Sequence, residues 1–107
     1  MSCGVAVLGS SGSIGQSTLD VLARHPQRFH VVALAAGRQV DLLEAQCLRW
    51  RPAYAAMGEA DAGQQLAQRL HAAGLDTQVS GGPGALEALA TLPQVDIVMA
   101  AIVGAAG

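Results

Sequence analysis

The sequence is poor in charged and aromatic side chains, which make up 13% and 3% of its 107 residues. Its formal net charge is −2 at pH 7, so it lacks the basic surplus that attracts nucleic acid or an anionic membrane. Neither is expected as a partner. Any anion that the protein binds must be held locally, by main-chain amides and a few well-placed cations.

Cysteine is also scarce. Cys3, in an irregular-looking N-terminus, and Cys47, in a helical pattern, lie in no C-x-x-C or Cys/His spacing that would indicate a redox pair or a zinc site. Two unpaired thiols favour a reducing compartment. The N-terminus has no basic region before an apolar core, so it does not resemble a signal peptide. The apolar run 97–103 is too short to span a bilayer. A cytoplasmic location is therefore expected.

What the chain does have is apolar residues, 51% of the total, enough for the core of one domain. They alternate between strand-like runs and helix-like periodicity, with short connections. This alternation predicts an α/β fold with a doubly wound parallel sheet. The predicted strands are Val5–Leu8, Phe29–Ala36, Ala53–Met57, Gln78–Ser80 and Asp96–Ala101, and the helices lie at about 13–25, between Val40 and Trp50, between Asp61 and Ala73, and at Ala85–Thr91.

Several details follow from these patterns. Asp61 is expected to cap the third helix, and Gly74 to close it. The fifth strand is expected to be buried. The first helix is expected to face the sheet through residues at helical spacing, namely Ile14, Thr18, Val21, Leu22 and His25.

A glycine-rich loop, Gly9-Ser-Ser-Gly-Ser-Ile-Gly15, joins the first strand to the first helix. Such a strand, turn and helix can cradle the pyrophosphate of a dinucleotide, as in Rossmann-like NAD(P)-binding folds. Gly9 permits the sharp turn, Gly12 lets the backbone approach the phosphates, and Gly15 permits close packing of the helix. Hydroxyl groups at Ser10, Ser11 and Ser13 are expected to bind phosphate or cap the helix. A plain connecting turn is the alternative.

The residues at the end of the second strand indicate whether the chain binds NAD or NADP. NAD-binding versions carry an acidic residue there, about 20 residues beyond the glycines, that binds the ribose 2′-hydroxyl. This sequence has Gly37-Arg38-Gln39 instead. The guanidinium of Arg38 can bind a 2′-phosphate through two hydrogen bonds, so NADPH is the predicted cofactor.

No reaction site is evident. The three histidines, His25, His30 and His71, fall on different predicted elements, and the carboxylates are dispersed. Neither an acid/base pair nor a metal cluster can be assigned. The sequence predicts a cofactor site with no catalytic and no metal-binding residue.

Three stretches resemble one family. Leu8–Gly15 followed by Ser17–Val21, then Val31–Leu34 with Ala36–Arg38, and then Val98–Gly107 are together similar to the N-terminal part of 1-deoxy-D-xylulose 5-phosphate reductoisomerase. The resemblance implies cofactor contacts in two loops and a third region: Ser11, Gly12, Ser13 and Ile14; Gly37, Arg38 and Gln39; Ala101 and Ile102.

The resemblance also implies an activity. Enzymes of that family rearrange 1-deoxy-D-xylulose 5-phosphate with Mg²⁺ or Mn²⁺ and reduce the product with NADPH to 2-C-methyl-D-erythritol 4-phosphate, in non-mevalonate isoprenoid biosynthesis. They are homodimers and several times longer than this chain. Residues 1–107 are therefore expected to form an NADPH-binding domain that is incomplete at its C-terminal end, inactive alone, with the catalytic and C-terminal domains absent.

The match has two departures and leaves two alternatives. The family's usual Gly-Lys-Asn is Gly37-Arg38-Gln39 here, and its usual loop threonine is Ser11; neither change removes a group that NADPH needs. One alternative is a non-catalytic dinucleotide-binding module. The other is a different NADP-linked reductase with a G-x-x-G-x-x-G loop, of the aspartate-semialdehyde dehydrogenase or dihydrodipicolinate reductase type.

Overall fold

The computed structural model describes residues 2–100, in which five strands alternate with four helices. Their order matches the predicted order, and the boundaries agree to within two residues, as expected for pattern-based boundaries. The elements are β1 (Cys3–Leu8), α1 (Ser13–Ala23), β2 (Phe29–Ala36), α2 (Val40–Trp50), β3 (Tyr54–Met57), α3 (Ala60–Ala72), β4 (Gln78–Gly81), α4 (Ala85–Ala90) and β5 (Ile97–Ala100).

The strands form one sheet in the order β4-β3-β2-β1-β5, and all neighbouring pairs are parallel. The chain runs outward from β1 through β2 and β3 to β4, then returns to the other side of β1. Right-handed crossovers in opposite directions place helices on opposite faces of a sheet. The predicted doubly wound sheet is therefore confirmed, with its change of direction between β1 and β5.

The two faces of the sheet are packed differently. Leu34 points to the face covered by α1, α2 and α3, where it meets Leu43 and Leu66 in the larger core cluster. Ala33 and Ala35 point to the opposite face, where α4 supplies the smaller cluster. β2 is buried on both faces from Val31 to Ala36, which explains its continuous apolar sequence.

The face that α1 turns to the sheet differs from the prediction. Ile14 and Val21 are 55% and 53% exposed, whereas the helix buries Gly15, Leu19 and Leu22. The cause is the contact between Gly15 and the preceding loop, which fixes the rotation of the helix. Residues four and seven positions after Gly15 then share its face. Of the predicted stripe, only Leu22 is buried; Thr18 is half-buried and His25, beyond the helix, is exposed.

Three smaller expectations were also wrong. β5 is not buried: it lies at the edge of the described sheet, and Ile97, Val98 and Met99 are 36–39% exposed. Cys3 is not in irregular structure, because it begins β1 and pairs with Phe29. Asp61 does not cap α3; the N-cap position is Glu59, and no side chain caps the helix.

The end of α3 agrees with the sequence. Gly74 has φ +83° and donates its N–H to the carbonyl of His71, so it closes the helix in the left-handed conformation that favours glycine. Across residues 2–100, no helix has the length and apolar character required to cross a membrane.

Candidate functional site

The glycine-rich loop is anchored to the carboxyl end of β2. The N–H groups of Gly9 and Ser10 both donate to the carbonyl of Ala35, at 2.8 and 2.9 Å. Gly9 has φ +83°, a conformation that costs a glycine almost nothing. The chain therefore turns sharply at Gly9, as predicted, and enters α1 beside the end of β2.

The loop leaves hydrogen-bond donors free at the start of α1. Gly12 is the N-cap residue, and no side chain caps the helix. Within residues 2–100, no acceptor is bound by the main-chain N–H groups of Ser11, Ser13 and Ile14. Free N–H groups and the helix dipole together favour an anion at this end. An ionised phosphate group fits this arrangement.

Gly12 and Gly15 have separate reasons to be glycine. A Cβ on Gly15 would lie 2.2 Å from the carbonyl oxygen of Gly9, which no side chain can occupy. A Cβ on Gly12 would meet only that same oxygen, at 3.6 Å, an ordinary contact. The fold therefore requires Gly15 but not Gly12. The lack of a side chain at Gly12 leaves space in front of the free N–H groups.

The serines of the loop do not share one role. Ser10 is fully buried and its hydroxyl donates to the carbonyl of Ala35 at 3.4 Å, so the expectation that it contacts phosphate was wrong. Ser11 is half-buried, and Ser13 and Ile14 are exposed at the start of α1. These three, with Gly9 and Gly12, remain the predicted pyrophosphate contacts.

Two glutamine side chains donate hydrogen bonds to carbonyl groups of the glycine-rich loop. Gln16 donates through Nε2 to the carbonyl of Ser11 at 2.9 Å, and Gln46 of α2 donates to the carbonyl of Ser10 at 2.7 Å. Sequence reasoning missed both. The only signal for Gln46 is a polar side chain next to the buried Cys47 on a core-facing helix.

The second loop follows β2, the strand next to β1 in the sheet. Gly37 accepts a hydrogen bond from the N–H of Gly58 at 2.8 Å. Gln39 is the N-cap residue of α2, which no side chain caps. Both loops leave the carboxyl edge of the sheet from adjacent strands, where ligands of such folds bind.

Arg38 is the exposed cation of this second loop. Its Nη1 lies 4.0 Å from Oε2 of Glu59, and both side chains are more than half exposed. Arg69 differs, because hydrogen bonds to Asp41 and then to Glu44 raise the pKa of its guanidinium. Arg69 already has carboxylate partners in hydrogen-bond contact, so Arg38 is the better placed of the two to accept a phosphate.

The described residues contain no candidate metal centre. Residues 2–100 contain no group of three or more His, Cys, Asp or Glu side chains arranged to bind a metal ion. His25, His30 and His71 are exposed and lie in separate parts of the chain. The predicted cofactor residues Ala101 and Ile102 lie outside the described residues, and their role stays a prediction.

Proteins of one enzyme family are similar to this chain in sequence. The sequence model of 1-deoxy-D-xylulose 5-phosphate reductoisomerase matches residues 5–107. The reductoisomerase of Methylococcus capsulatus is 61% identical over 105 residues, which are 97% of this chain and 27% of that protein. The reductoisomerase of Nitrosomonas europaea is 58% identical over 103 residues, 96% of this chain and 25% of that protein. The chain thus spans about a quarter of these relatives.

Solved structures show the same fold. A crystal structure of DOX-P reductoisomerase with magnesium has a TM-score of 0.91 at 40% identity, covering 100% of this chain and 26% of that one. A complex with NADPH, fosmidomycin and magnesium has a TM-score of 0.90 at 40% identity, covering 97% and 25%. The Zymomonas mobilis enzyme with NADPH has a TM-score of 0.83 at 34% identity, covering 100% and 28%.

Proposed function

The chain belongs to the 1-deoxy-D-xylulose 5-phosphate reductoisomerase family, and on that premise we propose that residues 1–107 bind NADPH as part of its N-terminal domain. One observation carries the proposal. The start of α1 offers free N–H groups in front of Gly12, while the adjacent loop offers Arg38 where an NAD-binding protein would carry a carboxylate. A phosphate-rich dinucleotide with a 2′-phosphate satisfies both loops.

Each loop has its own share of the cofactor. The main-chain donors of Ser11, Ser13 and Ile14 hold the pyrophosphate, with Gly9 shaping the turn and Gly12 keeping the space clear. Arg38 binds the 2′-phosphate, and Gly37 and Gln39 lie beside it. Ala101 and Ile102 complete the proposed set beyond the described residues, on the strength of the resemblance alone.

The proposed activity is that of the whole enzyme: conversion of 1-deoxy-D-xylulose 5-phosphate to 2-C-methyl-D-erythritol 4-phosphate. NADPH supplies the hydride for the reduction. This chain contributes binding and orientation of NADPH; residues 2–100 contain no group of side chains arranged to bind a metal ion. We assign the binding of Mg²⁺ or Mn²⁺ and of the substrate to parts of the enzyme outside residues 1–107.

Further parts of the proposal concern the setting of the enzyme. We propose a homodimer in the cytoplasm that acts on small molecules and not on nucleic acid. The free thiols of Cys3 and Cys47 support the compartment, the net charge of −2 supports the absence of nucleic acid as a partner, and the homodimer rests on the family resemblance alone. The family match favours this enzyme over a different NADP-linked reductase.

Amide chemical shifts test the proposed site directly. On addition of NADPH to the ¹⁵N-labelled chain, the largest changes are expected at Ser11, Ser13, Ile14 and Arg38. His71, at the far end of α3, is an internal reference. Changes confined to residues outside the two loops would rule out the proposed site even if NADPH bound.

A further inference from the structure

The side chain of Gln46 reaches from α2 to the glycine-rich loop. Its Nε2 lies 2.7 Å from the carbonyl oxygen of Ser10, a fully buried residue. A carbonyl oxygen only accepts hydrogen bonds, so the amide NH₂ must be the group that faces it. The orientation of the Gln46 amide is thereby fixed.

That orientation leaves the other end of the amide unsatisfied. Gln46 Oε1 is buried, and no donor among residues 2–100 binds it. A buried acceptor without a partner lowers the stability of the folded state. A methionine would fill similar space without this cost, but it would leave the Ser10 carbonyl without its donor. The two effects oppose each other, so stability alone gives little reason for glutamine at this position.

The hydrogen bond to Ser10 determines where the next N–H points. In a trans peptide the C=O of one residue and the N–H of the following residue point in opposite directions, and no peptide bond among residues 2–100 is cis. Because the Ser10 carbonyl points to α2, the Ser11 N–H points away from α2. That N–H is free within the described residues.

Gln16 acts on the next peptide in the same way, by binding the carbonyl of Ser11. Loop carbonyls that turned towards a phosphate would repel it, because both carry negative charge on oxygen. Two side-chain amides thus hold successive carbonyls in hydrogen bonds of their own. The loop therefore presents N–H donors, and not carbonyl oxygens, to a phosphate.

We propose that Gln46 is a positioning residue for dinucleotide binding, which holds the Ser10–Ser11 peptide so that the Ser11 N–H faces the pyrophosphate. The inference rests on the proposed function and deepens it. Gln46 acts through the loop and does not itself touch the cofactor. Its effect is confined to the pyrophosphate and does not extend to the 2′-phosphate at Arg38.

The test compares two ligands on one pair of variants. The full chain and the variant Gln46→Met are titrated with NADPH, which has the pyrophosphate, and with adenosine 2′-monophosphate, which has only the 2′-phosphate. Gln68→Met is the matched control, because Gln68 is an exposed glutamine on α3. Thermal midpoints of all three proteins are measured without ligand.

We expect Gln46→Met to weaken NADPH about tenfold, as for one lost hydrogen bond, with the adenosine 2′-monophosphate affinity unchanged. The thermal midpoint should change little, because removal of the unpaired Oε1 offsets loss of the hydrogen bond to Ser10. Gln68→Met should change none of these. Unchanged NADPH affinity in Gln46→Met would overturn the inference, and so would equal weakening of both ligands, which would give Gln46 a general structural role. Should Gln46→Met fail to fold, Gln46→Leu, which also removes the donor to the Ser10 carbonyl and adds no charge, is expected to show the same selective loss.

Failure of the proposed function has a different signature. In that case the unmodified chain would bind neither NADPH nor adenosine 2′-monophosphate, and both proposals would fall together. If the unmodified chain binds both ligands and Gln46→Met does not discriminate between them, only the inference on Gln46 is lost.

Discussion

The backbone of Gly15 lies against the carbonyl oxygen of Gly9, so closely that a Cβ on Gly15 would be 2.2 Å from that oxygen. This contact brings α1 onto the loop and sets the rotation of the helix. The contact also distinguishes Gly15 from Gly12, which lies in the same glycine-rich loop. Gly15 serves the packing of the fold, whereas a Cβ on Gly12 would have room, and the proposed role of Gly12 is to leave space for the pyrophosphate.

Exchanging each of these glycines for alanine should therefore give different defects. Gly15→Ala is expected to lower the free energy of unfolding by about 3 kcal/mol, because backbone atoms must move to admit the methyl group. Gly12→Ala should cost about 1 kcal/mol or less, since Gly12 has extended backbone at an N-cap, but it should strongly weaken NADPH. Denaturant unfolding and calorimetric titration measure the two effects. Full NADPH affinity in a folded Gly12→Ala protein would contradict the proposed pyrophosphate site.

Arg38→Ala is expected to weaken NADPH by about 1.5–3 kcal/mol, the value of a charge-assisted hydrogen bond, and to leave NADH nearly unchanged. The reason is that only NADPH carries the 2′-phosphate. Arg28→Ala is the matched control, since Arg28 is an exposed arginine just before β2, at the opposite edge of the sheet. Equal losses for NADPH and NADH would show that Arg38 acts on the fold and not on the phosphate.

Glu59 lies where it would compete with a phosphate for Arg38, at 4.0 Å from its guanidinium. We expect Glu59→Gln to strengthen NADPH binding by up to about fivefold, which is the scale of an exposed ion pair, and to leave NADH unchanged. The gain should shrink at high salt, because exposed charges are screened. Parallel titrations at low and high ionic strength check both points. A weaker NADPH affinity in Glu59→Gln would mean that Glu59 helps to bind the cofactor.

Cys47 should be unreactive in the folded protein. Burial raises the pKa of its thiol to about 12, well above its ordinary value, so the reactive thiolate is scarce at neutral pH. The unfolded state loses this proton near pH 9 and the folded state does not. Stability contributed by Cys47 is therefore present below pH 9 and falls as the pH rises from 9 towards 12.

Thiol titration at pH 8 is expected to label Cys3 alone until denaturant is added. Rapid labelling of both thiols would contradict the burial of Cys47.

A Cys47→Ala variant isolates this contribution. Its free energy of unfolding should be lower than that of the unmodified protein at pH 7, because a buried side chain is lost. Between pH 9 and 11 its stability should decline less steeply. Identical slopes for the two proteins would show that Cys47 does not titrate differently in the folded and unfolded states.

Local patterns predicted the elements well because each one has a strong signal. β2 is continuously apolar from Val31 to Ala36, and the glycine-rich loop follows a short strand directly. The face that α1 turns to the sheet could not be predicted from local sequence patterns. Ile14 and Val21 are as apolar as Leu19 and Leu22, and only the contact of Gly15 with Gly9 decides which pair is buried.

The hydrogen bond from Gln46 to the glycine-rich loop could not be predicted from sequence patterns either. Gln46 lies 36 residues from the Ser10 carbonyl that it binds, and its role depends on how α2 packs beside α1. Likewise, Ser10 and Ser11 are chemically identical neighbours, and only the hydrogen bond to Ala35 shows that Ser10 is turned inward. Such roles come from tertiary packing, which composition and periodicity do not encode.

The central claim is that this chain binds NADPH through two adjacent loops, one for the pyrophosphate and one for the 2′-phosphate. The most direct measurement is a calorimetric titration of the purified chain with NADPH and NADH side by side. The account predicts saturable NADPH binding with NADH at least tenfold weaker, since the contact with Arg38 is lost. Equal affinities would contradict the role of Arg38, and binding of neither cofactor to the folded chain would contradict the claim as a whole.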